Sequence, residues 1–189
     1  ILFTIFTASI AQTKVIDMHA HSYSNTHLER EPATDYYGVK GSTDAISHRQ
    51  ETFSAFKKLN IVKAVISGVP ESVEEWAEND TENIVIKGIL MFAPDDYGMT
   101  VQKFEQLVKD KKIEVFGEIA PYYSGGTLSD SIWQPYLKIC EQYDIPVAVH
   151  TGGGDPGGTY SWSPKARLSL GDPYHIEDVL VNYPKLRIY

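Results

Sequence analysis

The residues best suited to chemistry close the first apolar run, Asp17-Met18-His19-Ala20-His21. Successive residues of a strand face opposite sides, so His19 and His21 point the same way. Two imidazoles about one pleat apart can chelate one divalent ion. Asp17 shares their parity but sits deeper, where it suits hydrogen bonding to a ligand histidine better than contact with metal. His-x-His alone is a weak signal. It gains weight from His150, which ends the run Val147-Ala148-Val149-His150, and from Glu118 within Phe116-Gly117-Glu118-Ile119. An imidazole or carboxylate at the end of an apolar run is costly to bury, and a metal ion would offset that cost. The competing readings are a hydrogen-bonded core histidine for His150 and, for Glu118, a partner to a cation or to a histidine.

Elements of a particular kind must carry these side chains. Residues 15–19, 62–67, 84–92, 113–119 and 145–150 are short apolar runs that read as strands, and a sixth begins at Leu186. Ser47 and Gln50 could form a capping box before a helix with Phe53, Phe56 and Leu59 at helical spacing. Further helices are predicted over 71–78, 100–111, 129–143 and 172–182, the last capped by Asp172 with Pro173 at its first position. Residues 22–43 are polar and read as a long loop. Continuous apolar strands alternating with helices imply a parallel sheet covered on its outer face. At roughly 30 residues per unit the pattern fits an α/β (β/α)8 TIM barrel of about 250 residues or more, of which this chain carries strands one to about six. A barrel without its last two strands leaves unpaired edges on strands one and six. The competitor, an open doubly wound sheet, normally has a glycine-rich turn after the first strand, and here that strand ends in histidines.

In such a barrel the rim at the strand C-termini holds the active site. The loop 122–126 with Tyr122 and Tyr123, and the stretch 151–169 with Gly152, Gly153, Gly154, Gly157 and Gly158, both belong to it. Arg167 could bind a substrate carboxylate, with a solvated loop charge as the alternative. His175 reads as an exposed helix-start residue, His27 and His48 receive no role, and Trp76 and Trp133 read as outer-layer packing.

Composition narrows the class. The 189 residues are 42% hydrophobic and 22% charged, with a formal net charge of -8. That balance argues against nucleic acid or an anionic membrane as partner. The single cysteine, Cys140, excludes an intrachain disulfide and falls in an apolar helix. Residues 1–11 are apolar or small, and Ser9-Ile10-Ala11 places small residues where a signal peptidase reads. The expectation is the remnant of a secretory signal and a secreted or periplasmic protein. The alternative is a leading strand or short helix in a cytoplasmic one.

As a set, IDMHAH, GEI, PVAVHTG and YPKLRIY resemble the amidohydrolase superfamily, in the branch that shares a domain with aminocarboxymuconate-semialdehyde decarboxylase, over residues 14–189. The resemblance implies an enzyme with a divalent ion, usually zinc, held by His19, His21 and His150. Glu118 matches in place a glutamate that bridges two metals in binuclear relatives, so one or two ions are open. It also implies a histidine ending the sixth strand and, as general base, an aspartate ending the eighth, both beyond Tyr189. The implied reaction is hydrolysis of a small ester, lactone or amide. A bound zinc lowers the pKa of its water to about 7, and a nearby carboxylate moves the proton. In some relatives the same site decarboxylates instead. A TatD-like metallonuclease is a further alternative, opposed by the acidic balance, and a non-enzymatic binding protein is another. The expected partner is a small-molecule substrate, with no nucleic acid and no membrane, and a homo-oligomer stays open.

Overall fold

A computed structural model of the chain describes residues 13–30, 38, 40–154 and 159–189. The apolar stretch 1–11 lies outside them. The branched apolar runs form parallel strands: β1 (Val15–His21), β2 (Ile61–Ser67), β3 (Val85–Lys87), β4 (Phe116–Ile119) and β5 (Val147–Val149). β1, β2 and β3 pair in chain order, as do β4 and β5. The two groups join where the Ile89 N–H donates to the Gly117 carbonyl at 2.8 Å and Met91 bridges Ile119. Past β5, Val147 bridges Ile188. The result is an arc of parallel strands in sequence order, an incomplete (β/α)8 barrel.

Helices follow the strands: α1 (Asn25–Arg30), α2 (Ala45–Lys58), α3 (Pro70–Glu78), α4 (Val101–Lys109), α5 (Gln134–Tyr143), α6 (Thr159–Trp162) and α7 (Glu177–Asn182). None of the described helices is long and apolar enough to cross a membrane. Behind β4 and β5 lies a large core in which Phe104, Phe116, Trp133 and Tyr136 are all buried, the Phe116 and Tyr136 rings stacked at 5.7 Å. A smaller core of Phe56, Ile66, Trp76 and Ile84 backs β2 and β3. Arg49, itself buried, ties α2 to α3 through an ion pair with Glu75.

Several elements depart from the sequence expectation. α2 starts earlier than a Ser47 cap would allow, because the Asp44 carboxylate accepts the Ser47 N–H at 2.9 Å and takes the cap position. The polar stretch 22–43 is not loop throughout: α1 lies within it, fastened to α2 where Asn25 Oδ1 accepts the Ala45 N–H at 2.7 Å. The third strand is regular only over Val85–Lys87, since beyond it the chain shifts its hydrogen bonds from β2 to β4. The helices expected over 129–143 and 172–182 each begin with a 3-10 turn. Asp172 caps the second by accepting the Tyr174 N–H. Cys140 is fully buried in α5, and burial pushes its thiol well above the ordinary range, which makes it a packing residue.

Candidate metal centre

Both strands that carry the central groups break their regular register at those groups. In β1, Asp17 pairs with Ala64 and Ala20 with Ile66, so β1 advances one residue more than β2 around Met18 and His19. In β4, Phe116 pairs with Val147 and Ile119 with Val149, which places the extra residue at Gly117 or Glu118. Such bulges re-aim a side chain. A glycine is needed beside Glu118 because β5 runs very close: a Cβ on Gly117 would lie 2.4 Å from the Ala148 Cβ.

The re-aimed groups meet. His19 Nε2 lies 2.8 Å from His21 Nε2. Glu118 Oε2 lies 3.5 Å from the first nitrogen and 3.3 Å from the second. These three ligand atoms all fall within 4.8 Å of one another, the one such grouping among the described residues. His150 joins through the other carboxylate oxygen, its Nδ1 2.7 Å from Glu118 Oε1. Glu118 is 8% exposed, and its ion-pair partners are the three histidines rather than a lysine or arginine. A cavity of about 340 Å³ opens above, with His19, Glu118, His150, Ala148 and Tyr189 on its walls.

The protonation preferences suit a cation. Burial lowers the His21 pKa, and the nearby Glu118 charge only partly opposes this, so the ring favours its neutral, ligand-competent form. Burial pushes Glu118 upward, but the His150 hydrogen bond and the charges of His21, His19 and His150 outweigh it. Its carboxyl is held below the usual range and stays ionised. His21 Nδ1 is buried beside the Ser67 backbone, and Tyr23 stacks on the ring at 5.6 Å and 16°. Imidazole and carboxylate donors of this kind fit zinc or manganese.

A sequence profile described as amidohydrolase matches residues 16–189. The chain belongs to the amidohydrolase family. Among curated proteins none matches. Among solved structures, a Staphylococcus aureus protein described only as an amidohydrolase is 16% identical with a TM-score of 0.58, over 93% of this chain and 66% of its own. The 5-carboxyvanillate decarboxylase of Novosphingobium aromaticivorans, solved with manganese bound, is 11% identical with a TM-score of 0.57, over 94% of this chain and 66% of its own. The 4-oxalomesaconate hydratase of Rhodopseudomonas palustris is 18% identical with a TM-score of 0.55, over 92% and 61%. At such identities these likenesses establish the fold. This amidohydrolase chain thus spans about two thirds of the length of the proteins it resembles.

The remaining sequence candidates take distinct places in this amidohydrolase. Asp17 reaches His19 through the backbone, Oδ1 accepting the His19 N–H at 3.0 Å. Tyr122 is buried with its ring parallel to His150 at 5.8 Å. Tyr123 tilts over His150 at 5.0 Å. Arg167 is exposed, and its Nη1 donates to the carbonyls of Pro164 and Ala166, so that nitrogen braces its own loop. His175 is exposed and meets the Ser169 carbonyl at 2.8 Å. Sequence reasoning missed two neighbours of the site. Tyr23 stacks between His21 and His27, and Phe92 stands edge-on to Tyr123 at 5.6 Å. Tyr23's proximity to His21 was the available signal for the first; Phe92 had none, because its partner lies in a different loop.

Proposed function

We propose that this protein is a metal-dependent hydrolase of a small ester, lactone or amide, with His19, His21, Glu118 and His150 holding one or two divalent ions, zinc being the first choice. The observation that supports it best is the convergence of two imidazole nitrogens and one ionised carboxylate oxygen within 4.8 Å. A divalent ion held there supplies Lewis acidity toward water and a scissile carbonyl. The chain's residues do the rest. Glu118 brings the negative charge that makes the site cation-selective, and His150, whose Nδ1 meets the far carboxylate oxygen at 2.7 Å, would turn that nitrogen to an ion. Tyr122 and Tyr123 pack against the His150 ring, with Trp162 against Tyr123, and restrain that ring's movement. The stretch 1–11 is proposed as a signal remnant, which N-terminal sequencing of the mature protein would test.

A second reading, decarboxylation of a planar acid, is favoured by the flat ring faces next to His150, where Tyr123 also stacks with Trp162 at 4.8 Å. It agrees with the decarboxylases among the structural neighbours. The decisive experiment incubates the full-length protein with panels of small esters, lactones and amides and of hydroxylated aromatic acids. Hydrolysis products or released carbon dioxide would be measured. Chelator should abolish turnover, and added zinc or manganese should restore it. Full turnover in excess chelator would overturn both readings.

A further inference from the structure

His150 is held at both ring nitrogens. Nδ1 faces Glu118 Oε1 at 2.7 Å, while Nε2 faces the Tyr123 hydroxyl at 3.4 Å, the long end of the hydrogen-bond range. We propose that Tyr123 is a positioning residue, whose hydroxyl meets Nε2 in either tautomer and so holds the His150 ring in the orientation that presents Nδ1 to the site. The proposal rests on the metal-site reading given above for its consequence, but not for its geometry.

The chemistry follows from counting hydrogens. A neutral imidazole carries one N–H and one lone pair. With Nδ1–H donated to the Glu118 carboxylate, Nε2 is an acceptor and takes the Tyr123 O–H. If Nδ1 instead gives its lone pair to a cation, the ring hydrogen sits on Nε2, and the same hydroxyl turns to accept it. A phenol oxygen serves both states, whereas a phenylalanine ring would serve neither. The hydroxyl is also well confined. Tyr123 is wedged among Phe92, Tyr122 and Trp162, with ring centroids 5.6, 4.7 and 4.8 Å away. The loop after β5 passes directly over it. A Cβ on Gly154 would lie 2.8 Å from the Tyr123 oxygen and 2.5 Å from Thr159 Oγ1, so only glycine fits without displacing one of them.

The test uses the full chain and Tyr123→Phe, which keeps the ring packing and removes one oxygen. Nitrogen-15 spectra of the metal-free protein should show the His150 Nε2 resonance shifted by the Tyr123 hydrogen bond in the wild type and released from it in the variant, with Nδ1 protonated toward Glu118 in both. Zinc affinity, read by competition with a chromogenic chelator, should fall about 10- to 100-fold, the usual effect of losing a group that orients a ligand. The metal-free melting temperature should scarcely move. Gly154→Ala, which pushes a methyl group at the hydroxyl, should shift the Nε2 resonance in the same direction. Phe92→Leu, which loosens the ring packing and spares the hydroxyl, should change the Nε2 resonance and the affinity clearly less than Tyr123→Phe does. An unaltered Nε2 resonance in Tyr123→Phe with zinc affinity within about twofold of wild type would overturn the proposal. So would a Phe92→Leu variant that reproduces the loss. If the wild type takes up no zinc, the metal reading fails by itself, and the comparison of Nε2 resonances still decides the role of Tyr123.

Discussion

The two sides of the site are built on unlike strands. β1, which supplies His19 and His21, pairs only with β2 among the described strands. Its Val15, Ile16 and Met18 are 42%, 57% and 46% exposed. β4, which supplies Glu118, runs between the Met91 segment and β5 and is buried at every residue. His19 is accordingly steered by backbone bonds, through Asp17 at its own N–H and through the Ser22 N–H to the Ser67 carbonyl at 2.9 Å just past the strand. Glu118 is steered by its three histidine contacts and follows Gly117, which packs closely against Ala148. Yet both strands carry an additional residue in their register at the functional group. The lesson is that the bulge aims the side chain, while burial decides how rigidly it is then held.

The strongest way to break this comparison is to remove ligands from each side. His19→Ala and His150→Ala should each lose most of the bound metal, since so small a donor set has little redundancy. Metal content by mass spectrometry of the purified variants would check this. Normal loading of either variant would mean that the four groups do not work as one site. Next in size is the packing difference. Ile119→Ala, at a fully buried position of β4, should cost about 2–5 kcal/mol. In this 189-residue chain Ile16→Ala on β1, 57% exposed there, should stay within about 0.5 kcal/mol. Equal losses in urea denaturation would erase the distinction between the strands.

A smaller effect concerns pH. Burial lowers the pKa of His21, and of His48 beside Trp76. Each is therefore neutral in the fold and binds a proton more readily when unfolded. The associated stability is complete above about pH 6.5, the ordinary histidine value, and is lost as pH falls through the lowered folded values. Urea midpoints of the metal-free protein should drop on going from pH 8 to pH 5, and His48→Phe should remove part of that slope. A flat profile would show that these rings are hydrated. Among the changes at the site itself, the smallest expected is Asp17→Asn. Its carboxylate accepts one exposed backbone N–H, a bond contributing about 0.5–1.5 kcal/mol. Metal affinity should therefore fall much less than in His19→Ala, and a loss as large as that variant's would place Asp17 among the ligands.

The sequence by itself determined the alternation of parallel strands and helices, the barrel topology, and the placing of His19, His21, Glu118 and His150 at strand ends. Those features depend on local hydrophobic periodicity and on which residue closes each run, and both survive whatever the neighbours do. Only the tertiary structure decided the rest. It put the α2 cap at Asp44, cut the third strand short, and inserted α1 into the polar stretch. It turned Glu118 toward three histidines, committed Nη1 of Arg167 to its own loop, and set the Tyr123 hydroxyl against His150. Each of these outcomes depends on where residues distant in the chain come to lie. A bulge, a shared carboxylate and a hydroxyl facing a ring nitrogen leave no periodic trace, because they are properties of two strands or two loops together and of neither alone.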